Sequence, residues 1–221
     1  TRSPTVTGVQ TCALPIFTTA PKSEEAEIEL LIMPLGELIS HLGDDEASAA
    51  IKAIANLVNH RSPGDKQMLF VSDADIASKY TDIVALRLPE TEDVIDANFI
   101  TNNVVGYVGA MKPIKHGARL MSEVGSLKVD DSLRGHGVGT ILFGRIVQAV
   151  QDEGITPYAF CNSDSLPIAE RLNGREIESA DEVPPGALEL CQDCPLYGKT
   201  SGKNYGCCDT VVVWNTPTKT N

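Results

Sequence analysis

Along residues 120–129, apolar Leu120, Val124, Leu127 and Val129 are interleaved with Ser122, Glu123, Ser126 and Lys128. This is the mix of a strand with one covered face, and Gly117 and Asp130-Asp131 bound it. Further on, Val138, Leu142, Ile146, Ala149 and Val150 recur at helical spacing and share one face, with Gly154 where a helix C-terminus takes a left-handed residue. Between the two lies Arg134-Gly135-His136-Gly137-Val138-Gly139-Thr140. The pattern predicts strand, short turn, glycine loop, helix.

The same reading extends outward. Residues 94–100 and 104–111 read as two strands joined by Thr101-Asn102-Asn103 in a hairpin-type turn, and the second strand leads through Pro113 and Gly117 into residues 120–129. That is a three-strand meander. After the helix, residues 155–161 form a short apolar strand, and residues 162–165 offer helix-capping side chains. Residues 166–172 read as a helix with Pro167 in its first turn. A β-branched run at 211–214 supplies a last strand. Upstream, residues 28–33 read as a strand and 35–41 and 47–60 as helices, while 66–88 suits strand and helix equally. Antiparallel strands followed by strand–helix alternation predict a mixed α/β (α+β) sheet, mostly antiparallel, with helices on both faces.

Glycines in the loop let the backbone take otherwise costly conformations and let an anion come close, and the helix start adds unpaired N–H donors and a positive dipole end. The loop reads as a pyrophosphate seat. Spacing then separates the kinds of glycine loop. A Walker-type loop ends Gly-Lys-Ser/Thr, and this one ends Gly139-Thr140 without lysine. A dinucleotide fingerprint needs glycine where Thr140 stands and a loop abutting its strand, yet residues 130–133 intervene.

The stretch from Leu127-Lys128-Val129 through Asp130-Asp131 to Arg134-Gly135-His136-Gly137-Val138-Gly139 follows the pattern Arg/Gln-x-x-Gly-x-Gly after a strand ending in valine. It resembles the acetyl-coenzyme A loop of the GNAT N-acetyltransferase superfamily, and the predicted element order over residues 27–216 is similar to that superfamily's. The resemblance implies a splayed central pair of parallel strands, with Gly125 suited to a bulge in the first. It implies acetyl-CoA as cosubstrate, held by Leu127, Lys128 and Val129 along the strand, by Arg134, Gly135, His136, Gly137, Val138, Gly139 and Thr140 in the loop, and by Asn162 after the next strand. It further implies direct attack by a primary amine of a small molecule or peptide.

An amine with a pKa near ~10.4 must lose a proton before attack. Glu123 is the candidate base: it matches a glutamate position that serves so in some family members, against the plain alternative of a solvent-facing strand carboxylate. Many members carry Leu-Tyr-x-x-x-Gly-Phe with a tyrosine that protonates the leaving thiolate. Here the segment is Ile168-Ala169-Glu170-Arg171-Leu172-Asn173-Gly174-Arg175, without it. Tyr158, Tyr197 and Tyr205 stand as alternative acids, or none is needed, since a thiol of pKa around 8.5 already leaves tolerably. The departure keeps a non-catalytic acyl-CoA sensor as an alternative.

Cys191-x-x-Cys194 and Cys207-Cys208 form a second constellation, in an insertion at 191–208 poor in apolar residues. Zinc takes four thiolates tetrahedrally, and the first pair has knuckle spacing; reduced thiols or a disulfide are the plainer readings. A zinc-stabilised interaction domain is the second alternative. Cys161, in an apolar run, reads as packing rather than as a nucleophile. His41, His60, His116 and His136 are scattered without ligand spacing.

Composition narrows the class further. With 18 basic against 30 acidic residues and a net charge of −12, the chain opposes non-specific binding to nucleic acid or anionic lipid. No apolar run approaches the roughly 20 residues of a membrane span, and a cytoplasmic enzyme is expected. Residues 6–16 resemble a translated sequencing adapter, so residues 1–16 are set apart from a single GNAT-like domain at 17–221. Deleting residues 1–16 is expected to leave the melting temperature unchanged, and a large loss in a thermal scan would return that segment to the fold.

Overall fold

The computed structural model describes residues 17–18, 28–61, 70–88, 95–189 and 210–215. Its strands are β1 (Phe17–Thr18), β2 (Glu29–Pro34), β3 (Thr81–Arg87), β4 (Val104–Ala110), β5 (Ile114–His116), β6 (Arg119–Val129), β7 (Thr156–Cys161), β8 (Arg175–Glu176) and β9 (Thr210–Val213). The helices are α1 (Leu35–Ile39), α2 (Asp44–Asn59), α3 (Asp73–Ala77), α4 (Ala97–Asn103), α5 (Val138–Asp152), α6 (Leu166–Arg171) and α7 (Pro185–Glu189). Short 3₁₀ turns occupy Asp131–Leu133 and Ala180–Glu182.

The strands lie in the order β1-β2-β3-β4-β6-β7-β9-β8, with β5 paired on β6 beside that path. Among the described residues every pairing is antiparallel except β6 with β7. This parallel contact is short: Met121, Ser122 and Glu123 face Thr156, Pro157 and Tyr158, and no further rung follows. From Tyr158 to Cys161, β7 pairs with β9 on its other side. The expected splayed parallel pair is therefore present.

Apolar periodicity sets the layers. α5 buries Val138, Leu142, Phe143, Ile146, Val147 and Val150 against one face of the sheet, where Ile32, Ile83, Ala85, Val108, Val124 and Ala159 meet them. Each such side chain contributes roughly 1.5–3 kcal/mol by leaving water, as an upper range. Phe143 and Trp214 meet edge to face at 5.5 Å. The opposite face carries two clusters. One joins α1, α2 and α4 to Val84, Leu86 and Tyr107; the other joins Met121, Tyr158, Val211 and Val213 to Ile177, Val183 and Ala187. His116 Nε2 lies 2.6 Å from the Asp181 carbonyl, tying β5 to the segment that builds the second cluster.

One predicted hairpin is not there. The segment expected as a strand at 94–100 contains α4, and Thr101-Asn102-Asn103 is its last turn rather than a loop. The cause is local hydrogen bonding that the alternation of apolar residues conceals. Asp96 Oδ1 accepts from the Phe99 amide at 2.7 Å as an N-cap. Thr101, Asn102 and Asn103 each donate a side-chain bond to the carbonyl four residues back, at 2.7, 2.9 and 2.9 Å. Phe99 and Ile100 then pack into the α2 cluster. The meander is instead β3–β4–β6, and the region that suited either state holds both α3 and β3.

Gly174 is where the α6–β8 turn meets β9. A Cβ there would stand 2.5 Å from Val212 Cγ1, 2.9 Å from the Ala169 carbonyl oxygen and 2.9 Å from Trp214 Cε2. Gly174→Ala is expected to destabilise by about 1–3 kcal/mol through overpacking. Gly36→Ala, with nothing within 4 Å, is the near-neutral control; equal urea midpoints for the two variants would refute this account.

Candidate active site

β6 leads directly into the glycine loop. Asp130 anchors the exit: its amide donates to the Val105 carbonyl at 2.8 Å, and its side chain accepts from the Ser132 amide at 3.0 Å. Leu133, buried, pins the turn from beneath. Gly135 and Gly137 then take φ of +80° and +83°, left-handed conformations that penalise any side chain. Nothing lies within 4 Å of a Cβ built on either. Gly137 is the N-cap of α5, and the first helical bond runs from the Ile141 amide to its carbonyl at 3.1 Å. The amides of Val138, Gly139 and Thr140 are thus the opening donors of the helix, without acceptors inside it.

Gly139 has a different reason to be small. It is helical, and a Cβ would sit 3.4 Å from Ile168 Cδ1 and 3.7 Å from Val129 Cγ2, so it lets α6 and β6 approach α5. Arg134 pairs with Asp131 at 2.9 Å on the exposed side of the loop. His136 folds back on the turn, Nδ1 lying 3.1 Å from the Arg134 carbonyl.

The bulge lies one residue beyond the expected Gly125. Gly125 pairs with Gly109 and Lys128 with Tyr107, so Ser126 and Leu127 together oppose Val108 alone. Ser126 absorbs the extra residue at φ +58°, and Gly125 stays out of the left-handed region. Leu127 and Val129 lean against the α5 cluster. Lys128 runs to the other face, where its ammonium donates to the His60 carbonyl at 2.9 Å. Asn162 fastens the β7–α6 turn: its Oδ1 accepts from the Asp164 and Ser165 amides at 2.9 and 3.0 Å.

Glu123 occupies the last rung before β6 and β7 part. It is not a solvent-facing strand carboxylate. By alternation it shares a face with Met121 and Gly125, between the two clusters of that face. Burial raises its pKa, and the Lys79 ammonium opposes the rise. Its neighbours in space belong to no sequence motif. Asp82, Gly109 and Gly125 form one row across β3, β4 and β6. The Tyr107 hydroxyl donates to Asp82 Oδ2 at 3.1 Å. Burial pushes Asp82 up to about 6 and raises Tyr107 as well, while it lowers Lys79, against the pull of Glu123, Asp75 and Asp82. The one sequence sign was Asp82, a lone acid opening the apolar run Ile83-Val84-Ala85-Leu86.

Other candidates fall away from this seam. Tyr158 is buried in the second cluster with its ring against Phe160. Cys161 is buried, and desolvation pushes its thiol up to about 11, which suits packing rather than nucleophilic attack. Cys191, Cys194, Cys207, Cys208, Tyr197 and Tyr205, like residues 1–16, lie outside the described residues. Among the described residues, no group of three or more His, Cys, Asp or Glu is placed to hold a metal, and no helix is long and apolar enough to cross a membrane.

Comparison with known proteins bears on this geometry. Residues 66–174 match the acetyltransferase (GNAT) family. No curated protein sequence matches the chain. Among solved structures, Arabidopsis thaliana NAA60 in complex with acetyl-CoA is 10% identical, over 84% of this chain and 97% of that one, with a TM-score of 0.51. A GNAT-family acetyltransferase from Staphylococcus aureus Mu50 is 14% identical over 85% and 99%, at 0.45. Rv2747 from Mycobacterium tuberculosis, solved with CoA, is 19% identical over 66% and 79%, also at 0.45. The splayed sheet of this protein, the glycine loop at the start of α5 and the family match agree over one stretch: residues 66–174 are a GNAT acetyltransferase family domain.

Proposed function

We propose that this protein transfers an acetyl group from acetyl-CoA to a primary amine of a small molecule or peptide by direct attack. One observation carries the reading: a strand that loses its parallel neighbour after Glu123 runs into a loop of two left-handed glycines at a helix start.

The residues suit the cosubstrate. The space over Gly135 and Gly137 is open, and the amides of Gly135 and of Gly137 to Thr140 offer donors to a diphosphate, with the helix dipole adding to them. Arg134 adds positive charge at the rim. Past Glu123, the edge of β6 from Leu127 through Lys128 to Val129 that faces away from β4 lies along the gap left by β7, suited to an extended amide-bearing arm, and the half-buried Leu127 and Val129 side chains keep that side apolar. Asn162 has its side-chain oxygen engaged, so a contact to the arm falls to its Nδ2.

Acetyl-CoA supplies the activated thioester. Glu123 accepts the proton that the amine gives up as the N–C bond forms and the C–S bond breaks, and sulfur leaves as a thiolate that is then protonated. A carboxyl raised by burial is a better base than an exposed one. With Glu170 at the motif's tyrosine position and Tyr158 enclosed, this chain uses no tyrosine acid from α6 or β7. The replaced tyrosine also favours a second reading, an acyl-CoA sensor without turnover; amine-dependent thiol release separates the two.

Gly137→Val puts a β-branched side chain at φ +83° and is expected to weaken acetyl-CoA binding about tenfold or more by calorimetry; wild-type affinity would end the diphosphate assignment. Glu123→Gln is expected to lower turnover by about a hundredfold or more while acetyl-CoA affinity holds. Unchanged turnover across pH would remove Glu123 from the mechanism.

A further inference from the structure

Gly109 and Gly125 face each other across β4 and β6, leaving two adjacent positions on the seam side of the sheet without side chains. What surrounds this floor is specific. A Cβ on Gly109 would stand 2.9 Å from the Tyr107 hydroxyl and 3.1 Å from both Cγ and Cδ of Lys79; one on Gly125 would stand 3.6 Å from Glu123 Oε1. The Lys79 stem therefore lies across Gly109. Its ammonium ends 3.0 Å from Met111 Sδ, and the Met111 amide donates to the Glu123 carbonyl at 2.8 Å. The lysine head thus reaches the rung that carries the proposed base.

We infer that Lys79 is a positioning residue for acyl transfer: its stem walls the glycine floor, and its ammonium is the counter-charge that keeps Glu123 ionised as the acceptor amine enters. The inference rests on the reading of Glu123 as the base. Without such a charge, a carboxyl recessed between two apolar clusters holds its proton and cannot take one from an amine. Lys79 is the cation that opposes burial at Glu123. Other titratable groups on this side are Asp75 of α3, Asp82 of β3, Tyr107 of β4, Tyr158 of β7 beside Glu123 in register, and Lys128 of β6, whose ammonium donates to the His60 carbonyl. Asp75 and Asp82 draw on the same ammonium, so Lys79 serves three carboxylates.

The sign follows. Removing the cation lets burial act unopposed, so Glu123 titrates at higher pH and the acid limb of kcat/KM moves up with it. The test is carbon-13 NMR titration of the full chain labelled at glutamate carboxyls, with Glu123→Gln to assign the resonance. It is paired with pH profiles of thiol release from acetyl-CoA, using the fastest amine of a small-molecule and peptide panel. Lys79→Met is expected to raise the Glu123 midpoint and the acid limb by about one pH unit, a tenfold loss of kcat/KM on the acid side, with the alkaline plateau and the acetyl-CoA KM held. Lys79→Arg restores both positions, which a merely structural lysine would not require. Lys79→Gln keeps part of the stem and carries the same test if Lys79→Met fails to fold. An unmoved Glu123 titration in the neutral variants overturns the role of Lys79 whatever the activity. Full activity of Glu123→Gln overturns instead the assignment of the base.

Discussion

The parting of β6 from β7 is the constraint on which the rest of the structure depends. Among the described residues, Met121–Glu123 against Thr156–Tyr158 is the only parallel contact in the sheet, and it joins its two halves. Beyond it β7 turns its hydrogen bonds to β9, and β6 gives up a regular ladder at Ser126. Main-chain donors and acceptors in a gap of this kind need partners from outside the sheet. The first turn of α5, a few residues further along the same chain, has the same need for its amides. One strand, loop and helix therefore present a continuous line of backbone polarity, which an extended anionic thioester conjugate is suited to satisfy.

The opposite face of the sheet answers a different requirement. Two apolar clusters cover it, and between them Tyr107 is buried while Glu123, Asp82 and Lys79 are half-buried. Burying ionisable groups opposes folding unless they are paired, and such groups concentrated in one seam are characteristic of reacting sites. Two cross-strand glycines keep the seam open, because a side chain on Gly109 would collide with Tyr107 and Lys79. The open edge of β6 and the polar seam meet at Glu123, the rung where the strands diverge.

Legibility in the sequence varied with the range of the interaction responsible. The glycine loop was readable because left-handed φ at Gly135 and Gly137 is a local demand with a residue-type signature. α5 was readable because its buried stripe recurs over fifteen residues, Val138–Asp152. The segment around α4 was misread, since a seven-residue helix shows too little periodicity to compete with an apolar, β-branched look. Its identity rests on the Asp96 cap and on packing against α2. The bulge was placed on Gly125, the more permissive residue, yet strand registry put the strain on Ser126.

The linear chain, by itself, determined the elements whose causes lie within one helix or one turn: the amphipathic stripe of α5, the left-handed glycines before it, the β-branched last strand and the helix start near Pro167. It also singled out Glu123. Only the tertiary structure decided that Glu123 is recessed rather than solvated, and that Lys79, Asp82 and Tyr107, separated from it by up to 44 positions, surround the same glycine floor. The physical reason is that desolvation and through-space charge depend on which strands lie side by side, and no pattern local to any one strand encodes its neighbours.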